Sequence, residues 1–232
     1  MTGTEGYKDH AQQTAPLRIA LVTPAWPGIR TANGIATVVS HLADGLEACG
    51  HKVVVIPMAI DAPHDFARVV PLPEQRWTLV ERLQARLGLD AEEIVHRKIS
   101  RQIAAAVQQA VERHAVQVVV IEETQGWAAE IGRLTDIPVV ATLHGPWALL
   151  KAYQSNGVAW QDRRRVARER AALARVQAVT APSRNVLGRM QADGALLDIP
   201  TAVIANPVPV PKHRTHAPVE RMLFVGRFDR TK

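Results

Sequence analysis

Short apolar runs alternate along this chain with longer segments of helical periodicity. Residues 17–22 read LRIALV, a run typical of a parallel strand that is buried on both faces. From residue 35 to residue 46, apolar side chains recur every three or four positions, which predicts an amphipathic helix. Gly50 follows as a helix stop, and residues 52–56 form the next apolar run. The start of the pattern therefore predicts a βαβ unit.

The same alternation continues as far as residue 204. Further strands are predicted over residues 68–70, 116–121, 138–143, 178–181 and 201–204. Further helices are predicted over residues 76–87, 91–114, 127–134, 148–153, 160–176 and, with Ser183 as its cap, 184–190. In the helix at 76–87, the inward side is predicted to carry Trp77, Val80, Leu83 and Leu87. Alternating strands and helices predict an α/β, Rossmann-like domain with a mostly parallel sheet between helices.

The pattern also divides the chain. Residues 1–15 are polar and lack the apolar core of a signal peptide, so a disordered tail is expected there. Residues 16–205 form the predicted α/β domain. Residues 206–220 are expected to be a linker, because residues 206–216 contain three prolines and no periodicity. Residues 221–232 then begin a new strand, expected to be the first of a second, truncated domain.

Composition narrows the class of partner. The net charge of +6 suits anionic partners such as nucleotides, phospholipid head groups or nucleic acid. Nucleic acid is disfavoured, because three Phe and two Tyr cannot build an aromatic stacking surface. Cys49 is the only cysteine, so an internal disulfide is excluded, and a buried, inert thiol is expected. Without a signal peptide or an apolar run of membrane-spanning length, the cytoplasm is the expected location.

The loop before the first helix is a candidate anion site. Asn33 and Gly34 stand where the helix begins, and backbone N–H groups at a helix N-terminus attract phosphate. The loop lacks the three spaced glycines of a dinucleotide fingerprint, the next strand ends without an acid, and no Walker loop occurs. A nicotinamide cofactor is therefore disfavoured, and no cofactor is predicted.

Three polar residues follow predicted strands at the edge where open α/β sheets bind ligands. His144 could donate a hydrogen bond to a substrate hydroxyl, or it could be a turn histidine that the backbone satisfies. Glu122 and Glu123 could act as a general base or bind acceptor hydroxyls, or could supply charge at a helix N-terminus. The sequence contains no Asp-X-Asp and no paired histidines beside carboxylates, so no metal site is predicted.

The helix at 160–176 is strongly basic, with six arginines. Such a helix can lie on an anionic membrane or track phosphates. It can also be a solvated face that Asp162 and Glu169 partly neutralise. Peripheral membrane contact through this helix therefore stays open.

Several segments together resemble the retaining glycosyltransferases of family 4, which have the GT-B fold. In chain order they are PGIRTANGIATVVSHLADGLEACGHKVVVI, VVATLHGPW, ARVQAVTAPSRNVL, VIANPVPV and MLFVGRFDRTK. The resemblance implies an N-terminal domain that mainly holds the acceptor and a C-terminal domain that mainly holds a nucleotide-diphosphate sugar. It implies that His144 touches the donor sugar. Arg227 and Lys232 match the basic pair that grips the diphosphate and stabilises the leaving group, a role that needs no metal.

The resemblance also implies donor or acceptor contacts from Asn33, Gly34, Ser183 and Asn206. The sequence departs from the family pattern at Asn33-Gly34, where a double glycine is usual, and at Asn206-Pro207, where Asn-Gly is usual. Because the chain ends at Lys232, most of the donor domain is expected to be absent and the chain alone to be inactive. The sequence does not indicate whether the acceptor is a glycan, a lipid or a small molecule.

Two alternatives remain at this stage. One is a non-catalytic α/β module that binds an anionic ligand or a protein partner. The other is a different sugar enzyme with the GT-B fold, such as a nucleotide-sugar epimerase.

Overall fold

A computed structural model describes residues 15–27, 33–60, 67–74, 76–87, 91–152, 159–196 and 198–209. Its strands are β1 (Arg18–Thr23), β2 (Lys52–Pro57), β3 (Val118–Glu122), β4 (Val139–Thr142), β5 (Ala178–Ala181) and β6 (Thr201–Val203). Its helices are α1 (Gly34–Ala48), α2 (Leu79–Arg86), α3 (Ala91–His114), α4 (Ala128–Leu134), α5 (Trp147–Ala152), α6 (Trp160–Leu173) and α7 (Arg184–Ala192).

The six strands form one sheet in the order β2-β1-β3-β4-β5-β6. Every pairing between them is parallel, which confirms the predicted α/β, Rossmann-like class. The strand order reverses between β1 and β3, since β1 is followed in the chain by β2 on one side and later by β3 on the other. In open parallel sheets, ligands bind beyond the carboxyl ends of the strands at such a reversal. The topology therefore directs attention to the ends of β1, β3 and β4.

The two faces of the sheet are covered differently. On one face, α3, α4, α6 and α7 pack against the strands through a large apolar core that includes Ile103, Ile131, Leu173 and Leu187. On the other face, α1 packs on β1 and β2 through a smaller cluster. Beyond α1, the second face forms an apolar depression of about 190 Å³, lined by half-buried side chains such as Val118, Val120, Val140 and Thr180.

Three expectations from the sequence were wrong in detail. Residues 68–70 contain a single bridge, Val69 to Val55, and no strand. Helix α2 forms, but Val80, Leu83 and Leu87 are 64%, 58% and 62% exposed, because no described element covers that side of the helix. Cys49 is exposed, since it caps the C-terminus of α1 and so leaves the apolar stripe of that helix.

The predicted tail at 1–15 lies almost wholly outside the described residues, as does the predicted strand at 221–225 with Arg227 and Lys232. The domain boundaries thus stay predictions. In the described part of the chain, no helix is both long and apolar enough to cross a membrane.

Gly126 allows the turn after β3 (residues 124–126) to pack directly on α6. Its φ angle is +74°, in the left-handed region. A Cβ atom there would lie 2.4 Å from the carbonyl oxygen of Arg168. The backbone of the turn and the backbone of α6 are therefore in contact, which only glycine permits.

We expect Gly126→Ala to lower the free energy of unfolding by roughly 2–4 kcal/mol, because it combines backbone strain with a steric clash. The matched control is Gly45→Ala in the interior of α1, where a Cβ atom has no neighbour within 4 Å. That control should be neutral or stabilising by up to about 1 kcal/mol. Urea unfolding of both variants measures the difference, and equal effects would contradict the assigned contact.

Candidate functional site

The described candidate residues gather at the carboxyl edge of the parallel sheet. Asn33 and Gly34 open α1 after β1, and Glu122 is the last residue of β3. The remaining candidates follow strands closely: Glu123 after β3, His144 after β4, Ser183 after β5 and Asn206 after β6. Because all six strands run parallel, these residues share one edge of the molecule.

Asn33 is the N-cap residue of α1. The Asn33 Oδ1 atom accepts a hydrogen bond from the backbone N–H of Ile35 at 2.9 Å, as N-cap residues do. Gly34 is exposed, and a Cβ atom there would meet no described atom within 4 Å. Among the described residues, the first turn of α1 is therefore open on the side of Gly34.

Ser183 and Asn206 have contrasting surroundings. The Ser183 hydroxyl accepts a hydrogen bond from the N–H of Val186 at 3.3 Å and so caps α7. Asn206 is exposed and lines the rim of the apolar depression together with Ile204 and Pro207. The structure thus gives Ser183 a capping role that the sequence predicted, and leaves the Asn206 side chain at the surface.

Glu123 holds the loop that carries His144. Its carboxylate accepts the backbone N–H of His144 at 2.9 Å and that of Gly145 at 2.8 Å. The side chain is only 2% exposed. Burial raises the pKa of Glu123 to about 7, while the hydrogen bonds from the two loop amides act in the opposite direction. The carboxylate thus holds the loop after β4 in place through these two hydrogen bonds, an arrangement that we call the loop clamp. The sequence analysis did not predict this role.

A second buried carboxylate, Glu169 of α6, joins two loops of the same edge. It accepts the backbone N–H of Trp147 at 2.8 Å and that of Gln125 at 3.2 Å. It also accepts a hydrogen bond from the Arg165 guanidinium at 3.0 Å. At 3% exposure, Glu169 is part of the interior rather than a surface counter-charge. The loops after β3 and β4 are therefore tied to each other through α6.

Glu122 lies in different surroundings from its neighbour. It is 4% exposed and lines a cavity of about 30 Å³ together with Thr142, His144 and apolar side chains of α1 and β1. Its Oε2 atom has no hydrogen-bond partner among the described residues. Burial, reinforced by the nearby Glu123 and opposed by Arg165, raises the pKa of Glu122 to about 8. Glu123 is therefore hydrogen-bonded to the loop after β4, whereas Glu122 faces a small cavity with one oxygen unpaired among the described residues.

The His144 imidazole is partly buried, and this burial lowers its pKa. A neutral imidazole has one donor and one acceptor nitrogen, which suits recognition of a sugar hydroxyl. The loop clamp fixes the His144 backbone through Glu123, so the ring projects from an anchored position.

Most of the arginines on α6 have partners within the protein. Arg168 donates to Glu92 at 2.7 Å and to Glu93 at 3.1 Å, both at the start of α3. Arg170 pairs with Asp193 at the end of α7, and the Arg165 guanidinium stacks 3.9 Å from the centre of the Trp147 ring. A large share of the basic charge thus joins helices to one another. Membrane contact through this helix stays a prediction.

Within the described ranges, no group of three or more His, Cys, Asp or Glu side chains is arranged to hold a metal ion.

The six-stranded parallel sheet with its flanking helices matches a Rossmann-like half of the GT-B fold. The family model for Glycosyltransferase Family 4 matches residues 32–211, more than half of the chain. The chain belongs to this family, as the resemblance predicted.

Two sucrose-phosphate synthase structures share the fold, and a third structure is similar at a lower score. A sucrose-phosphate synthase from Thermosynechococcus elongatus is 16% identical, with a TM-score of 0.56, over 82% of this chain and 48% of that one. A second sucrose-phosphate synthase structure from the same organism is 14% identical, with a TM-score of 0.50, over 81% and 88%. A UGT transferase from Siraitia grosvenorii in complex with UDP is 11% identical, with a TM-score of 0.45, over 81% and 47%. A search of curated protein sequences finds no significant match. The 48% coverage means that this chain spans about half the length of the first sucrose-phosphate synthase.

The loop clamp generates a first prediction. Glu123→Gln should speed hydrogen exchange at the His144 and Gly145 amides, because an amide offers one acceptor oxygen to two N–H groups where the carboxylate offers two. The matched control is Glu130→Gln, which removes the carboxylate of a surface pair with Arg133 and should leave exchange at these two amides unchanged. Hydrogen-exchange NMR measures both variants, and unchanged exchange in the first variant would contradict the clamp.

The buried acids generate a second prediction, on pH. Since the pKa values of Glu122 and Glu123 rise from 4.5 to about 8 and about 7 on folding, the folded protein binds more protons than the unfolded chain between those limits. These two groups therefore contribute their full stabilisation below about pH 4.5. As pH rises towards 8 this contribution is lost, and the free energy of unfolding falls by about a few kcal/mol. Glu122→Gln should flatten this dependence, whereas Glu112→Gln, at an exposed position on α3, should not. Urea unfolding at pH 5 and pH 8.5 checks the slopes, and an unchanged slope in the first variant would refute the assignment.

Proposed function

We propose that this chain is the acceptor-side part of a glycosyltransferase that moves a sugar from a nucleotide-diphosphate sugar to an acceptor with retention of anomeric configuration. The observation that carries the proposal is the family match over residues 32–211, combined with His144 anchored at the carboxyl edge of the sheet. We further propose a hexosyl-type transferase that acts in the cytoplasm without a metal cofactor.

The start of α1 and His144 supply the proposed donor contacts from this domain. Backbone N–H groups in the open first turn of α1, after Asn33, attract the negative diphosphate. His144, as a neutral imidazole, donates a hydrogen bond to a hydroxyl of the donor sugar. Their placement beside the reversal in strand order supports this arrangement.

Arg227 and Lys232 complete the proposed site. They lie outside the described residues, and their role is taken from the family pattern. Sugar transfer builds negative charge on the departing nucleoside diphosphate, and fixed cations beside it lower the barrier. We propose that the acceptor, a glycan, a lipid or a small molecule, binds to the domain of residues 16–205. Peripheral membrane contact through the basic helix α6 stays part of the proposal, although several of its arginines already have partners within the protein. Because this chain spans about half the length of the first sucrose-phosphate synthase, we expect the 232-residue chain alone to lack most donor contacts and to be inactive.

Calorimetric titration with UDP, GDP and their sugar conjugates tests the proposal. It should be carried out on this chain and on a longer chain that continues past Lys232. We expect binding by the longer chain alone, and the preferred nucleotide then names the donor class. If neither chain binds any nucleotide sugar, the transferase proposal fails and a non-catalytic module that binds another anion becomes the better explanation. Sugar transfer by the 232-residue chain would overturn its expected inactivity.

A basic residue of the proposed site offers a sharper test. In the longer chain, Arg227→Ala should weaken binding of the preferred nucleotide about 10- to 100-fold, the cost of losing a charge-assisted hydrogen bond to phosphate. Arg133→Ala is the matched control, because Arg133 is an exposed arginine that pairs with Glu130 on α4. The same titration measures both variants. Equal affinity of the two would remove Arg227 from the diphosphate site.

A further inference from the structure

Glu122 is a buried acid whose contacts are incomplete. Its side chain is 4% exposed, and its Oε2 atom finds no hydrogen-bond partner among the described residues. Thr142, its neighbour in the β4 register, has its hydroxyl 3.0 Å from the hydroxyl of Thr180. Buried polar atoms in folded proteins are nearly always paired, so an orphaned carboxyl oxygen calls for a partner.

The space next to Glu122 has room for such a partner. The cavity that this residue lines has a volume of about 30 Å³, and it lies between α1 and the ends of β1, β3 and β4. One water molecule needs about 10–15 Å³ of such space, so one or two waters fit and a sugar ring does not. Most of the lining is apolar, and the polar exceptions are Glu122, Thr142 and His144. A water in this cavity would therefore find polar partners on β3, on β4 and on the clamped loop.

The protonation states are compatible with a bridge between these groups. Burial and the neighbouring Glu123 raise the pKa of Glu122 to about 8, although Arg165 opposes the shift, so the acid is largely protonated at pH 7. Burial lowers the pKa of His144, so the imidazole is neutral. A carboxylic acid and a neutral imidazole each have one donor and at least one acceptor, and a water molecule can match both.

We propose that this cavity binds an ordered water that joins the Glu122 carboxyl to the His144 imidazole, and that Glu122 is thereby a positioning residue for His144. The bridge fixes the orientation of the ring and the nitrogen that carries the proton. The opposite nitrogen is then presented towards the carboxyl edge in one defined state. A role of this ring orientation in sugar recognition rests on the proposed function. The presence of the water and the protonation state of the ring do not depend on that function.

Nitrogen-15 NMR of the histidine rings in the full chain tests the inference at pH 7. In the wild-type protein we expect a single tautomer of His144 and a magnetisation-transfer contact between its ring and a bound water. Glu122→Met removes both polar atoms at similar length, and it should abolish the water contact and shift the ring nitrogens. Glu122→Gln keeps a donor and an acceptor, and it should restore the wild-type signals. Leu42→Met, a conservative change in the same cavity wall, is the matched control and should leave them unchanged.

Each outcome decides the inference. Absence of a bound-water contact in the wild-type protein overturns it, and this measurement needs no variant to fold. Identical His144 signals in the wild type and in Glu122→Met also overturn it. A shift in the methionine variant with recovery in the glutamine variant supports it. Failure of the proposed function would appear elsewhere, as an absence of nucleotide binding by the longer chain, so the two failures are distinguishable.

Discussion

The carboxyl edge of this sheet depends on the pairing of buried carboxylates with loop amides. Parallel strands bring every following loop to one edge, and those loops contain N–H groups that no strand can pair. Glu123 accepts two of them, from His144 and Gly145, and Glu169 accepts two more, from Gln125 and Trp147. An unpaired buried carboxylate would be strongly destabilising, so the acids and the loops need one another.

This constraint also explains where the basic charge of the chain is placed. Helix α6 must approach the loops closely for Glu169 to reach them, and Gly126 removes the side chain that would prevent it. With α6 in this position, Arg165 pairs with Glu169, and Arg168 reaches Glu92 and Glu93 on α3. The sequence suggests a solvent-exposed, arginine-rich helix, but in the structure most of these arginines form ion pairs that join α6 to neighbouring helices. Net charge alone could not distinguish these two situations.

Sequence periodicity predicted the features that depend on local pattern. The helix at 91–114 and the strand at 178–181 have the predicted bounds, because apolar spacing directly records which side is buried. The exposed apolar side of α2 was not predictable, since it depends on what covers the helix. The Glu123 clamp was also hidden, because the amides that it binds lie 21 and 22 residues away along the chain. The position of His144 was predictable, because a residue just after a parallel strand must lie at the carboxyl edge of the sheet.

The raised pKa of Glu122 also bears on the charge balance of the candidate site. An ionised carboxylate beneath α1 would oppose an anion at the N-terminus of that helix, because like charges in a poorly solvated region repel strongly. Burial instead favours the neutral acid at pH 7, and Glu123 next to it adds to the effect. Glu169, the third buried acid, has the guanidinium of Arg165 as a partner. A neutral Glu122 thus removes one negative charge from beneath the N-terminus of α1, where the open first turn offers hydrogen-bond donors. The cations that a departing diphosphate requires can then come from residues later in the chain, of which Arg227 and Lys232 are the proposed pair.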